Sequence, residues 1–207
     1  MLVLASASPR RQDLLRSAGI SCQVQPADVD EAPLPGESAR DCAERLAQEK
    51  ALAVWRTRPG DLVLGADTVV VVDETILGKP IDSNHAARML RMLSARVHQV
   101  ITGVCLVSSS VSVNSATSAN ASNSRTGNCE VRTSSETTLV TFTALSDAAI
   151  RDYVATGEPM DKAGAYAIQG IASRWIPHIE GDYSNVVGLP VARVYRMLRE
   201  VNAAGLT

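Results

Sequence analysis

Three short stretches of this 207-residue chain hold the residues whose types and spacing could do chemistry. The first is LASASPRRQDLL (4–15), where Arg10 and Arg11 follow Ser8-Pro9. Ser8 suits an N-cap and Pro9 the first helical position. Both arginines therefore fall in a first helical turn, where the dipole disfavours cations by roughly 0.3–1 kcal/mol each. A bound oxyanion reverses that sign, because free N–H groups and two guanidinium forks make a strong anion site. The alternative is a pair of solvated arginines that tolerate the dipole.

The second stretch is Gly65-Ala66-Asp67-Thr68, inside the β-branched run from Leu62 to Val72. An aspartate in an apolar strand costs free energy unless it is paired, hydrogen-bonded or metal-bound. Polar residues at strand ends of α/β sheets commonly line the ligand crevice; plain exposure at a strand end is the bland reading. The third stretch, GEPMDKAGAYAIQG (157–170), supplies Asp161, Lys162 and Gln169 between backbone-fixing Gly and Pro. A charged surface loop is its alternative. Lys79 in Gly78-Lys79-Pro80 and Lys50 on a helical segment add cations. Together these residues describe an anion pocket suited to a polyphosphate with a divalent metal.

Other chemistries lack support. There is no dinucleotide or P-loop glycine pattern, no zinc-protease helix and no nucleophile elbow. With three histidines (His85, His98, His178), a Ser-His-Asp triad has nothing to point to it. The four cysteines (Cys22, Cys42, Cys105, Cys129) form no C-x-x-C pair, which argues against zinc and disulfides and for a reducing compartment. A net charge of −2 gives no global field for nucleic acid. The opening apolar run is too short for a signal segment, and no run approaches a membrane span. The expectation is a soluble cytoplasmic protein that binds neither nucleic acid nor membrane.

The elements that must position these residues follow from periodicity. Strands are predicted at Leu2–Leu4, Ser21–Gln25, Leu62–Val72, Thr75–Leu77, Val97–Val107 and Thr138–Ala144. Helices are predicted from Pro9 to a cap at Gly19, over Ala39–Arg56, from a Ser83 cap to about Arg96, from a Ser146 cap to about Thr156, and after Pro190. Residues 26–37 read as a loop. Residues 108–135 are mostly Ser, Asn, Thr and Ala, and read as a low-complexity loop insertion with too little apolar content to join a core. Alternating strands and helices argue for α/β, and the long hairpins for a mixed sheet.

Jointly, LASASPRRQDLL (4–15), ADTVV (66–70), LGKP (77–80), VITGV (100–104), GEPMDKAGAYAIQG (157–170) and GDYSNVVGLP (181–190) resemble the Maf family of nucleoside triphosphate pyrophosphatases. The resemblance runs nearly end to end. It implies an elongated mixed twisted sheet with flanking helices, two lobes around a central cleft (a Maf/ITPase-like fold), in a single domain that is often a homodimer. It implies hydrolysis of a nucleoside triphosphate to the monophosphate and pyrophosphate with Mg²⁺ or Mn²⁺. Asp67 aligns with the family's proposed general base, and Glu31 is a candidate second carboxylate for the metal. Arg10, Thr68 and Gln169 fall on positions diagnostic of the dTTP/UTP-preferring branch. Ser8 and Arg11 are expected to face the cleft with them, and Lys50, Lys79 and Lys162 are candidate substrate contacts. The family is also linked to arrest of septum formation, so a nucleotide-binding regulator with little turnover is the competing reading. The Ser/Asn-rich stretch is the clear departure from the family pattern.

Overall fold

A computed structural model describes residues 1–109 and 129–204. Seven strands form one mixed sheet, in the order β2 (Gln23–Val24), β1 (Leu2–Leu4), β3 (Leu62–Val72), β5 (Val97–Ser109), β6 (Cys129–Thr141) and β7 (His178–Glu180), with β4 (Thr75–Leu77) also on β3. β1 runs parallel to β2 and β3, and the other pairs are antiparallel. The helices are α1 (Pro9–Ser17), α2 (Ala39–Trp55), α3 (Ser83–Leu93), α4 (Asp147–Ala155), α5 (Tyr183–Val187) and α6 (Val191–Ala204). This is the α/β mixed sheet with flanking helices that the sequence predicts. Among the described residues, no helix is long and apolar enough to cross a membrane.

β3 organises the molecule. β5 pairs with it from Val63 to Val71 along one edge. The other edge is shared: β1 covers residues 62–64 and β4 covers residues 70–72. Residues 65–69 therefore lie in a gap between two partner strands, where both sheet faces are reachable from one side. Asp67 and Thr68 stand in that gap and, being adjacent in a strand, point to opposite faces.

One face belongs to α2. Val3, Val63 and Cys105 pack there against Ala47, Ala51 and Val54, and Val69 and Ile101 against Cys42 and Leu46. The helix lies close because Gly65 and Gly103 face it. A Cβ at Gly65 would come within 2.0 Å of the Ala47 carbonyl oxygen, and one at Gly103 within 2.2 Å of the Ala43 oxygen. On the opposite face, Leu4, Leu64 and Leu106 pack with Leu15 of α1 and Val194 of α6. Further along, Val70 and Val100 pack with Leu90 of α3 and Ile150 and Tyr153 of α4. Each such fully buried side chain contributes roughly 1.5–3 kcal/mol. Two separate apolar clusters on one face leave a cleft between them, above the β3 gap.

Several local expectations need correction. Ser8 occupies the N-cap of α1 but makes no side-chain cap bond. The cap of α3 is Asp82, whose carboxylate accepts from His85 N–H, and not Ser83. That helix ends at Leu93, and Ala95 takes a left-handed φ of 57°. β6 begins at Cys129, well before Thr138, and β5 continues through Ser109, so both ends of the predicted 108–135 loop are paired strand. A polar strand is stable here because its side chains find partners. Arg40 of α2 donates to Ser135 and Thr137, and Arg193 of α6 donates to Ser134 and Glu136. The middle of that predicted insertion, 110–128, lies outside the described residues.

Candidate active site

Asp67 is buried, and its Oδ1 accepts a hydrogen bond from Lys50 Nζ at 2.5 Å. The close approach of α2 over Gly65 and Gly103 brings Lys50 there, since Asp67 pairs with Gly103 across the ladder. Lys50 Nζ also donates to Glu31 Oε1 at 2.6 Å, and Lys79 Nζ to Glu31 Oε2 at 2.7 Å. The result is a chain of alternating charge: Asp67, Lys50, Glu31, Lys79. Burial pushes the Glu31 carboxyl up, but hydrogen bonds from Lys50 and Lys79 outweigh it and hold it at about 2. Asp67 Oδ2 has no protein hydrogen-bond partner among the described residues, so it can accept from a bound molecule.

On the other face of β3, Arg11 is buried and the protein takes up four of its five guanidinium N–H groups. Nε donates to the Gly188 carbonyl at 2.7 Å, Nη1 to Ser6 Oγ at 3.0 Å and to the Ala66 carbonyl at 2.9 Å, and Nη2 to Thr68 Oγ1 at 3.0 Å. Arg11 thus ties the turn before α1 to the open edge of β3 and to the α5–α6 turn. The two arginines of the first turn are therefore not equivalent, although both line the cavity. Burial lowers the Arg11 pKa, and the charges of Asp67 and Glu31 oppose the fall. Arg10, half-buried beside Arg11, has no protein hydrogen bond among the described residues, and its charge acts on Asp161.

The third stretch closes the cleft from above. Gly164, at φ 68°, donates its N–H to the Gly78 carbonyl and so docks this stretch on the Lys79 turn. Glu158 accepts from Tyr153 Oη at 2.8 Å and from Ile171 N–H at 3.0 Å, which fixes the turn carrying Gln169. Lys162 pairs with the neighbouring Asp161. Ser8, Arg10, Arg11, Glu31, Lys50, Asp67, Thr68, Lys79, Lys162 and Gln169 all line one cavity of about 870 Å³. Every residue singled out in the sequence is brought to this cavity, from segments as far apart as the first turn of α1 and the turn before Ile171.

The Maf-like protein family matches residues 1–201. The chain belongs to the Maf family. A Koribacter versatilis (strain Ellin345) relative, a dTTP/UTP pyrophosphatase, is 52% identical over 198 residues, covering 96% of this chain and 93% of the relative. Proteins of the same name from Geobacter sp. (strain M21) and Syntrophomonas wolfei are each 48% identical, covering 99% and 94% of this chain and 97% and 94% of their own lengths.

Sequence reading missed part of this Maf site. Arg88, Met89 and Met92 of α3 line the same cavity. Thr102 and Asn185 lie behind it, both wholly buried. Thr102 was visible only as a polar residue in an apolar run, and only the β3–β5 register sets it opposite Thr68. Among the described residues, no group of three or more His, Cys, Asp or Glu is placed to hold a metal by protein ligands alone.

His98 is a further buried group, 2% exposed, at the wall behind Tyr166. Its Nε2 shares a 2.8 Å hydrogen bond with Tyr166 Oη, and its Nδ1 has no partner among the described residues. Burial lowers its pKa from 6.5 to about 4. Between those values the unfolded chain binds a proton that the native chain does not, so stability falls as pH falls. At about 1.4 kcal/mol per pH unit, the full effect is about 3 kcal/mol. The melting temperature is expected to drop between pH 6.5 and 4, and His98→Gln to flatten that slope. An equal slope in the variant would remove His98 as the cause.

Proposed function

We propose that this chain hydrolyses dTTP and UTP to the nucleoside monophosphate and pyrophosphate. The observation that carries the reading is a buried carboxylate, Asp67, anchored at Oδ1 and, among the described residues, unpartnered at Oδ2, in the same cavity as Thr68, Arg10 and Gln169. The dTTP/UTP pyrophosphatase relatives, near half identical over almost the whole chain, support the substrate.

In this reaction Asp67 Oδ2 accepts the proton of the water that attacks phosphorus, and the α–β anhydride bond breaks. Lys50 holds the carboxylate in place by donating to Oδ1. Lys79, Lys162 and Arg10 face the same cavity and offset the charge that develops on the pyrophosphate leaving group. Arg11 chiefly shapes the site, because four of its five N–H donors are taken by the protein. Asp67 and Glu31 would be the carboxylates that hold Mg²⁺ or Mn²⁺, since hard oxygen donors suit these ions. Such an ion supplies neutralisation of phosphate charge when bound.

The test is pyrophosphate release from a panel of nucleoside triphosphates with Mg²⁺ or Mn²⁺. dTTP and UTP are expected to lead, with CTP and the purine nucleotides well behind. Binding without release would instead support the regulatory reading.

A further inference from the structure

Thr68 lines the cavity, and its hydroxyl has one proton and two lone pairs. The structure accounts for the proton. Thr102 Oγ1 lies 2.9 Å from Thr68 Oγ1 and 3.1 Å from the Asn185 carbonyl oxygen. With Thr102 donating to this main-chain carbonyl, which also accepts from Gly188 N–H, Thr68 donates to Thr102. Asn185 cannot move away. It is wholly buried, and its Nδ2 donates to the Val100 carbonyl and to Thr138 Oγ1, both at 3.0 Å. Arg11 Nη2 donates to one lone pair of Thr68. What remains on Thr68 is a single lone pair. The nearest competing acceptor, the Gly188 carbonyl, is 3.5 Å away and already receives Arg11 Nε at 2.7 Å.

The geometry assigns to Thr102 the role of a positioning residue for substrate choice: it takes the proton of Thr68, so that Thr68 meets the nucleobase as an acceptor. This rests on the dTTP/UTP reading and deepens it. The imide N3–H of thymine and uracil is a donor, and the N3 of cytosine is an acceptor. An acceptor that cannot rotate accepts from the first and repels the second. Gln169 cannot make this distinction alone, because its amide presents a donor or an acceptor by turning over. Thr102 itself is wholly buried and does not line the cavity.

Thr102→Val keeps the shape and removes the hydroxyl. Thr68 is then free to turn its proton into the cavity, where it can donate to cytosine N3. The expected result is a fall of about tenfold or more in the ratio of kcat/KM for UTP over CTP, with CTP itself improved. A purely structural role for Thr102 would lower both substrates alike and leave the ratio unmoved. Thr102→Ser retains the hydroxyl and should keep the wild-type ratio. If Thr102→Val does not fold, the wild-type protein decides the matter with UTP methylated at N3, which lacks the donor. Its kcat/KM should fall far below that of UTP, and equal turnover would overturn the assignment. An unchanged UTP-to-CTP ratio in Thr102→Val would overturn it too, as would loss of the ratio in Thr102→Ser. These results are separable from failure of the function itself, which would show as wild-type protein releasing pyrophosphate from neither dTTP nor UTP.

Discussion

Asp67→Asn is expected to fold normally and to lose most pyrophosphate release, on the order of 10²–10⁴-fold in kcat. The substitution is nearly isosteric. Its amide oxygen can still accept from Lys50 Nζ, which lies 2.5 Å from Oδ1 in the parent. Lys50 is not stranded by the change, because Glu31 Oε1 remains 2.6 Å from the same nitrogen. The fold has little reason to respond, so the melting temperature should stay near that of the parent. What disappears is the basic lone pair at Oδ2, the position from which the attacking water would lose its proton. A loss in kcat with KM held would place the effect in the transition state. Turnover near that of the parent would remove Asp67 from the mechanism.

Asp67 and the two arginines of this site are legible because each breaks a local rule, whereas Glu31 and the base-reading roles of Thr68 and Gln169 come only with the family resemblance. Asp67 interrupts a β-branched run, Arg10 and Arg11 sit against a helix dipole, and Lys162 and Gln169 stand among turn-forming glycines. Such violations are readable one residue at a time. The long strands were legible for the opposite reason: Leu62–Val72 follows its local pattern without a break except at the site. What stayed hidden depends on register and on partners. β6 reads CEVRTSSETTLVT, and its composition alone gives no reason to expect Arg40 and Arg193 to lie over its serines and threonines. The role of Arg11 was obscured in the same way, since its acceptors come from Ser6, Ala66, Thr68 and Gly188, distant segments whose meeting is set by the sheet order. The cap of α3 differs by one residue from the sequence expectation because Asp82 and Ser83 are both good caps. Only geometry shows which side chain reaches the His85 N–H.

Lys50→Met is the substitution expected to cost both stability and activity. The Lys50 and Asp67 side chains are 8% and 12% exposed, and removing one partner of a buried pair leaves the other charge uncompensated, at a cost of about 3–5 kcal/mol. Glu31 suffers less, being 43% exposed and still held by Lys79. The damage is therefore concentrated on Asp67, and a second substitution can isolate it. In the double variant Lys50→Met with Asp67→Leu, neither member of this buried pair is left as an uncompensated charge, and an apolar pair of similar volume is commonly neutral or stabilising. The melting temperature should recover most of the loss while activity stays absent. The two single changes would then be strongly non-additive, as expected for groups in direct contact. Additive losses across the cycle would mean that Lys50 stabilises the protein through its packing on α2, and that Asp67 does not depend on it for its charge.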